Sequence, residues 1–191
     1  MMTEPQLTRI SKTLSYHLRH RPDALGLTLG PGGWVAVDTL LAALAQHGKP
    51  VTRAELDDVV ARNPKQRFAF DESGTRIRAS QGHSVAVDLE LAPVEPPAVL
   101  YHGTGARAVA SILREGLRKQ QRHHVHLSAD VATARAVGAR HGRPVVLQVD
   151  AAAMRAAGHV FFRAANGVWL VDAVPPAFLQ PQELPMQGDP D

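Results

Sequence analysis

A proline-rich segment near the middle of the chain divides it into two parts that must fold separately. Residues 91–99 contain three prolines and have neither helical nor strand periodicity, a composition typical of an extended linker. The flanking parts, of roughly 80 to 90 residues each, are long enough to bury separate cores. We therefore predict domains at residues 1–90 and 100–180, a linker at 91–99 and a flexible tail at 181–191.

The composition excludes several classes of protein. Apolar residues make up 45% of the chain and charged residues 20%, which predicts a folded protein. There is no cysteine, so a disulfide framework, a thiolate nucleophile and a cysteine-ligated zinc site are all excluded. The first twelve residues lack the apolar core of a signal peptide, and no stretch has the ~20 apolar residues of a membrane span. We expect a cytoplasmic protein with no membrane partner.

The positive charge is unevenly distributed. The net charge is only +3, but 17 of the 21 basic residues are arginine, the side chain best suited to forked hydrogen bonds with phosphate. A biased genome composition would also explain the arginine content. Residues 98–163 contain ten basic and three acidic residues, a local excess that favours contact with a polyanion.

The first part has the pattern of helices followed by a hairpin. Leu7, Ile10, Leu14 and Leu18 recur at helical spacing before Pro22. The opposite side of that helix carries a polar set that is typical of a solvated face: Arg9, Lys12, Tyr16, Arg19 and His20.

Further elements follow in the first part. We predict a strand at 34–37, a helix capped by Asp38, a helix begun by the capping box of Thr52 and Glu55, and a hairpin of strands 67–71 and 75–79. Helices followed by a hairpin are typical of a winged helix, which commonly binds nucleic acid, although fold alone does not establish function.

The second part alternates short strands with helices. The pattern predicts an α+β domain with strands at 98–102, 124–128, 144–149, 159–163 and 168–171, and helices at 106–115 and 130–141. The Asn166-Gly167 turn is the strongest hairpin signal in the chain.

Residues 101–105 form the first candidate binding motif. Gly103, Thr104 and Gly105 follow a predicted strand and precede a helix, a position where backbone groups and the side chains of His102 and Thr104 can hold a dinucleotide. The glycine spacing matches neither a P-loop nor a Rossmann fingerprint. Taken by itself, however, such a motif is more often a purely structural turn than a binding site.

Residues 122–128 are the densest polar run. On a strand, His124, His126 and Ser128 share one face. A zinc site is a weak alternative, because no carboxylate lies nearby and His123 points to the other face. We favour ligand contacts from His126 and Ser128, with Arg122 binding a phosphate.

The separated motifs together resemble the RNA 2′-phosphotransferase family of KptA type. The resemblance runs in order from Leu7 to Leu179 and rests on residues 11–22, 33–35, 65–68, 77–84, 101–104, 122–128 and 166–170. It implies an N-terminal winged-helix-like, RNA-binding lobe and a C-terminal α+β lobe like that of the ADP-ribosyltransferase superfamily, which binds NAD.

The resemblance also implies a reaction. A 2′-phosphate of RNA attacks NAD and releases nicotinamide, after which the product breaks down to 2′-hydroxyl RNA and ADP-ribose 1″,2″-cyclic phosphate. The family is associated with the 2′-phosphate left at tRNA splice junctions. NAD is therefore expected as a consumed co-substrate, with no metal, and the partner is a tRNA-like RNA bound by a monomer.

Individual residues match the family's functional positions. The catalytic set is Arg19, His20, Arg67 and Arg122. The NAD-binding set is His102, Gly103, Thr104, His126 and Ser128. Lys12, Arg78 and His83 are further candidates for substrate contact.

Three positions are informative because they differ from common relatives. Gln120 stands where methionine is common, and Ser80 stands where asparagine is usual. Val168 occupies a position where protein-modifying relatives carry glutamate, which makes protein ADP-ribosylation a weaker interpretation.

Two other functions are compatible with these residues. One is an NAD-dependent ADP-ribosyltransferase that caps terminal phosphates of RNA or DNA and stops after the first step. The other is a non-enzymatic winged-helix regulator whose second lobe senses a nucleotide. Analysis of the products separates all three.

Overall fold

A computed structural model describes residues 2–182, which form two compact units. The first comprises residues 2–92, and the second begins at Pro93. Two short segments predicted in the C-terminal domain, Gln121–His123 and Ala164–Asn166, belong to the first unit. Arg122 is therefore part of the same unit as Arg19 and Arg67. Residues 183–191 of the predicted flexible tail lie outside the described residues.

The helices of the first unit are α1 (Glu4–Arg19), α2 (Val37–Gln46) and α3 (Arg53–Arg62). The apolar stripe of α1, including Leu14 and Leu18, is buried as predicted. The capping box at α3 is also confirmed, because the Glu55 N–H donates to the Thr52 hydroxyl at 3.2 Å. The prediction that Asp38 caps α2 is wrong.

The start of α2 is fixed by the sheet instead. Ala36 is the N-cap of α2, and the N–H of Val37 donates to the carbonyl of Thr75 at 2.9 Å. This bond satisfies one of the free N–H groups at the helix start without a side-chain cap.

A small antiparallel sheet completes the first unit. It consists of β1 (Val35–Ala36), β2 (Phe68–Phe70) and β3 (Arg76–Ala79), with β3 between the other two. Ile77 of β3 is fully buried and belongs to the same apolar core as the α1 stripe. The hairpin predicted at 67–79 is confirmed.

The second unit is also a mixture of helices and strands. Its helices are α4 (Val109–Glu115), α5 (Val131–Gly138) and α6 (Ala151–Ala156). Its strands are β4 (Val99–Gly105), β5 (Leu117–Arg118), β6 (Val125–Leu127), β7 (Pro144–Asp150), β8 (Phe161–Arg163), β9 (Trp169–Val171), β10 (Ala173–Val174) and β11 (Leu179–Pro181).

Short antiparallel sheets organise these strands. β7 lies between β4 and β11, β9 lies between β6 and β8, and β5 pairs with β10. Tyr101 of β4 exchanges two backbone hydrogen bonds with Ser128, at 2.9 and 2.7 Å, so the end of β6 lies beside β4. This pairing brings together the two sequence motifs that carry the NAD-binding candidates.

Strand edges explain two departures from the predicted boundaries. Residues 181–182 were assigned to the flexible tail, but β11 covers the outer edge of β7 and the Gln182 N–H donates to the Val146 carbonyl. Within the predicted linker, Pro93 forms a β-bridge with Phe162. In both places the extended chain satisfies backbone groups of a strand that would otherwise be an open edge.

The glycines of the 101–105 motif allow α5 to pack directly on β4. The strand was predicted to end at residue 102, but its pairing with β7 continues to Gly105. A Cβ atom at Gly103 would overlap the carbonyl oxygen of Ala134 in α5. Glycine is therefore required at this position for packing. The sequence alone did not distinguish this packing role from a role in ligand binding.

Among residues 2–182, no helix is long and apolar enough to cross a membrane.

We predict that Gly103→Ala destabilises the protein by about 3 kcal/mol or more, because a backbone carbonyl must move to admit the methyl group. Denaturant unfolding measures this change. Gly30→Ala is the control, since its added carbon would lie 3.4 Å from the Trp34 carbonyl oxygen, at ordinary contact distance. Equal stability of the two variants would contradict the packing role of Gly103.

Candidate functional site

A cluster of cations lies within the first unit. It includes Arg19 at the end of α1, Arg67 directly before β2, and Arg122 in the segment Gln121–His123. Burial, together with the positive charges of Arg67 and Arg122, lowers the pKa of Arg19 to about 10. Arg67 and Arg122 are therefore both close enough to Arg19 to repel its positive charge.

Arg19 lacks compensation for its charge. Its Nε and Nη2 atoms are buried and have no hydrogen-bond partner among residues 2–182. A buried guanidinium without partners is costly, because it has lost the hydrogen bonds that water would supply. An anion with several oxygen atoms would supply both the missing charge and the missing acceptors.

The segment that follows β3 holds Arg19 in place. The Ser84 N–H donates to the Arg19 carbonyl at 2.9 Å. Gly82 has a left-handed backbone, with φ of +86°, and a Cβ there would lie 3.5 Å from Cζ of Arg19. The chain thus packs closely against the guanidinium, which restricts where this side chain can move.

A buried histidine fixes the chain after α1. Nδ1 of His17 donates to the carbonyl of Arg21 at 3.1 Å, and Nε2 lies 3.3 Å from Nζ of Lys49. A carbonyl can only accept, so Nδ1 carries the proton and Nε2 accepts from the ammonium. Burial lowers the pKa of His17, which favours this neutral form.

His20 is the titratable member of the predicted catalytic set. Its Nδ1 is hydrogen-bonded to the Ser84 hydroxyl at 2.8 Å, and its side chain is exposed. Burial lowers the pKa of His20, and the charges of Arg19 and Arg122 lower it further. The imidazole is therefore neutral near pH 7 and can take up a proton once an anion offsets the arginine charges.

Arg67 follows a strained backbone position. Gln66 has a φ of +40°, a left-handed conformation that is costly for a residue with a side chain. Ser80, which is only 4% exposed, holds this turn from β3: its hydroxyl donates to the Gln66 carbonyl at 3.0 Å and its N–H donates to the Arg67 carbonyl at 2.8 Å. Ser80 is thus a positioning residue that sequence reasoning noted only as a departure from the family pattern.

His83 has a different environment from the one predicted. It is 1% exposed, and neither ring nitrogen has a hydrogen-bond partner within the described part of the chain. Burial is the main cause that lowers its pKa to about 4, and the nearby Arg19, His123, His20 and Arg78 contribute to the same shift. A ring this deeply buried does not face a substrate, so the predicted substrate contact is replaced by a neutral side chain packed behind the cations.

The other predicted substrate contacts separate into two kinds. Arg78 lies 4.5 Å from the centre of the Trp34 ring, and its Nη1 donates to the carbonyl of Gly32 at 3.2 Å, so its guanidinium already has contacts within the protein. Lys12 is exposed and lines a cavity of about 480 Å³. Arg19, His20 and Arg67 line the same cavity.

The predicted NAD-binding residues lie together in the second unit. Nδ1 of His102 donates to the carbonyl of His126 at 3.0 Å, and burial lowers the pKa of His102. The ring is therefore neutral, with the proton on Nδ1 and a free lone pair on Nε2 that can accept from a hydroxyl. Thr104 is 7% exposed, whereas the His126 and Ser128 side chains are more accessible.

The backbone of Gly103 is the second feature of this site. Successive residues of an antiparallel strand direct their N–H and C=O groups to opposite sides. The backbone N–H and C=O of Tyr101 both point to Ser128, on the side of β4 away from β7. Gly103 lies two residues later, so its N–H and C=O point to that same side. A carboxamide, which has both a donor and an acceptor, is the complementary ligand for such a pair of backbone groups.

The histidine run does not form a metal site in this structure. His123 belongs to the first unit, whereas His124 and His126 belong to the second. His124 packs against the Phe162 ring, with centroids 5.4 Å apart. Among residues 2–182 no group of three metal-ligating side chains comes together.

Comparison with known proteins gives one consistent result. The model of the family described as "RNA 2'-phosphotransferase, Tpt1 / KptA family" matches residues 5–173. A protein of Nostoc punctiforme named "Probable RNA 2'-phosphotransferase" is 60% identical over 179 residues, which cover 94% of this chain and 99% of that protein. A protein of Streptomyces griseus with the same name is 60% identical, over 93% of this chain and 98% of that protein. One of Burkholderia lata is 53% identical, over 95% of this chain and 94% of that protein.

We predict that Ser80→Ala weakens the binding of inorganic phosphate roughly tenfold, because Arg67 loses the hydrogen bond that holds the preceding turn. Titration calorimetry measures this affinity. Ser73→Ala removes an exposed hydroxyl in the β2–β3 turn and is the matched control. If Ser80→Ala and the control bind phosphate equally well, Ser80 does not position Arg67.

We also predict that His83 makes stability depend on pH. An unfolded histidine takes up a proton near pH 6.5, whereas folded His83 remains neutral down to about pH 4. The free energy of unfolding therefore decreases as the pH falls from 6.5 toward 4, by up to about 1.4 kcal/mol per pH unit from this group.

Urea unfolding of the wild type and His83→Gln across this range tests the prediction. His83→Gln should show a shallower decrease, while replacement of the exposed His47 by glutamine leaves the wild-type slope. The same pH slope in the wild type and His83→Gln would exclude His83 as its source.

Proposed function

Because the chain belongs to the RNA 2′-phosphotransferase family, we propose that it removes an internal 2′-phosphate from RNA in two steps and consumes NAD. The RNA supplies the phosphate, and NAD supplies the ADP-ribose that accepts it. The products are 2′-hydroxyl RNA, nicotinamide and ADP-ribose 1″,2″-cyclic phosphate.

The unpartnered guanidinium of Arg19 is the observation that carries this proposal. A phosphate monoester has two negative charges near neutral pH and three terminal oxygen atoms, so it can accept from several guanidinium groups at once. Arg67 and Arg122 belong to the same unit as Arg19 and repel its positive charge. Binding of the 2′-phosphate would relieve this repulsion and supply acceptors for Nε and Nη2 of Arg19.

The second unit supports NAD as the co-substrate. Nε2 of His102 can accept a hydrogen bond from a ribose hydroxyl, since its Nδ1 proton is already donated to His126. The backbone N–H and C=O of Gly103 suit the carboxamide of nicotinamide. His126 and Ser128 add polar side chains on the neighbouring strand.

The first step is a substitution at C1″ of the nicotinamide ribose. A phosphate oxygen donates a lone pair to C1″, and the bond from C1″ to the pyridinium nitrogen breaks. The bonding electrons neutralise the pyridinium, and nicotinamide leaves. The phosphate is already ionised, so this step needs positioning and charge stabilisation rather than a general base.

The second step transfers the phosphoryl group away from RNA. The ribose 2″-hydroxyl oxygen attacks phosphorus and loses its proton, while the bond between phosphorus and the RNA 2′-oxygen breaks. That oxygen keeps the bonding electrons and takes up one proton. The arginines stabilise the negative charge that develops on the phosphoryl oxygens.

We assign the proton transfer in the second step to His20. Free His20 is neutral near pH 7, because burial and the charges of Arg19 and Arg122 lower its pKa. A bound phosphate dianion offsets those charges and raises the pKa, so the ring can carry a proton to the departing RNA oxygen. Its hydrogen bond to Ser84 fixes the ring orientation.

The architecture fits the same proposal. Helices α1 to α3 followed by the β2–β3 hairpin are compatible with the winged-helix-like, RNA-binding lobe that the family resemblance implies. The short antiparallel sheets of the second unit are likewise compatible with the implied ADP-ribosyltransferase-like lobe. Val168, in place of an acid that would activate a protein side chain, favours a substrate that is already a nucleophile.

The direct test uses a short RNA with one internal 2′-phosphate. Purified protein is incubated with this RNA in the presence and absence of NAD, and the RNA and nucleotide products are resolved together. We expect 2′-hydroxyl RNA and the cyclic phosphate only with NAD. ADP-ribosylated RNA as the final product would favour the one-step transferase, and unchanged RNA and NAD would favour a binding protein.

We predict that His20→Ala slows the second step by roughly 10²- to 10⁴-fold, the usual contribution of a general acid or base. The ADP-ribosylated RNA intermediate should then accumulate, which rapid quenching and gel separation detect. His47→Ala, at an exposed histidine, is the control and should not accumulate it. Slowing of the first step alone by His20→Ala would contradict the assigned role.

A further inference from the structure

The cavity beside the cationic cluster is larger than a phosphate requires. Its volume of about 480 Å³ is within the range of cavities that hold whole small molecules. Arg19, His20 and Arg67 contribute to its lining, but most of its wall comes from earlier turns of α1 and from the end of α3. The part away from the arginines therefore needs a different occupant.

One polar stripe of α1 lines this cavity. Thr8, Lys12, Ser15, Tyr16 and Arg19 have the spacing i, i+4, i+7, i+8 and i+11, which places them on one side of a helix. With a rise of 1.5 Å per residue, the stripe is about 16 Å long. This length is several times the 3.4 Å separation of stacked bases in a nucleic-acid strand. Lys12, Tyr16 and Arg19 of the stripe belong to the face that was predicted to be solvated, and the structure shows that they border a defined cavity.

The polar groups of the stripe are available to a ligand. Within residues 2–182, the side chains of Thr8, Lys12 and Ser15 make no hydrogen bond or ion pair. Thr13, on another side of the same helix, instead bonds to the carbonyl of Arg9 at 3.1 Å, as helical hydroxyls often do.

Tyr16 supplies an aromatic surface in the stripe. Its side chain is 48% exposed, and its ring packs edge-on with the buried His17 ring, with centroids 5.0 Å apart. The contact restrains the tyrosine while leaving much of the ring accessible. Stacking on an exposed aromatic ring is a common way to bind single-stranded bases without reading their sequence.

The opposite wall and the far end of the cavity are fixed by internal bonds. Nδ2 of Asn63 donates to the Ser11 hydroxyl at 3.0 Å, which ties the end of α3 to α1. Glu4, at the end farthest from Arg19, pairs with Arg62 at 2.9 Å. Its carboxylate disfavours a phosphate, so the path for a polyanion ends before the first turn of α1.

We propose that this stripe binds the RNA strand that flanks the 2′-phosphate, with one base stacked on Tyr16, a backbone phosphate paired with Lys12, and hydroxyl contacts from Thr8 and Ser15. The inference rests on the proposed function, because the position of the flanking strand follows from a 2′-phosphate held by Arg19. The occupant is a single strand, since an unstacked base can reach the tyrosine ring.

Kinetics with two substrates test the proposal. One is a dinucleotide with a 2′-phosphate, and the other is a single-stranded hexanucleotide with an internal 2′-phosphate. In the wild type, kcat/KM is expected to be at least tenfold higher for the hexanucleotide. Tyr16→Ala and Lys12→Ala should each lower the ratio of the two kcat/KM values roughly tenfold, whereas Arg9→Ala, an exposed α1 cation outside the cavity lining, should leave it unchanged.

Equilibrium binding separates this inference from the proposed reaction. Anisotropy of the labelled hexanucleotide, without NAD, measures the contacts whether or not turnover occurs. Lys12→Ala should reduce the slope of log affinity against log salt by about 0.7, the value for one phosphate contact with a single strand. Tyr16→Ala should weaken binding about tenfold with little change in that slope.

Unchanged hexanucleotide affinity in both variants would overturn the inference, as would equal weakening by Arg9→Ala. Failure of the wild type to remove the 2′-phosphate from either RNA in the presence of NAD would instead contradict the proposed function. In that case the binding measurements would still decide whether the stripe holds RNA.

Discussion

The positive charge of Arg19, which is largely buried and is repelled by Arg67 and Arg122, is the constraint on which the rest of the site depends. Burial and the charges of Arg67 and Arg122 make protonation of Arg19 less favourable than in water. Two of its nitrogen atoms also lack acceptors among the described residues. A folded protein maintains such an arrangement only if packing elsewhere offsets its cost, and a bound phosphate would remove that cost. The free protein is thus preorganised for an anion before any chemistry begins.

The first unit supplies the stability that holds the cations together. The buried stripe of α1, which includes Leu14 and Leu18, anchors the helix that ends at Arg19. Ser80 holds the strained turn before Arg67, and Ser84 bonds to both the Arg19 carbonyl and the His20 ring. Residues 80–84 therefore connect three members of the site.

The sequence predicts much of this organisation, because periodicity and capping are local properties. The α1 stripe, the capping box of Thr52 and the β2–β3 hairpin depend on neighbouring residues and are confirmed. Long-range contacts were missed: the pairing of β11 with β7, the packing of Gly103 on α5 and the burial of His83. The candidate catalytic residues were predicted from resemblance to a family, and only the structure shows that Arg122 belongs to the unit that contains Arg19 and Arg67.

Calorimetric titration of the NAD-free protein with a 2′-phosphorylated dinucleotide, and with its 2′-hydroxyl counterpart, tests the central claim most directly. We expect the phosphorylated RNA to bind at least a hundredfold more tightly, because it alone provides acceptors and charge for Arg19. Arg19→Ala should remove most of this difference. Equal affinity for the two dinucleotides would contradict the claim that the cluster is built for the 2′-phosphate.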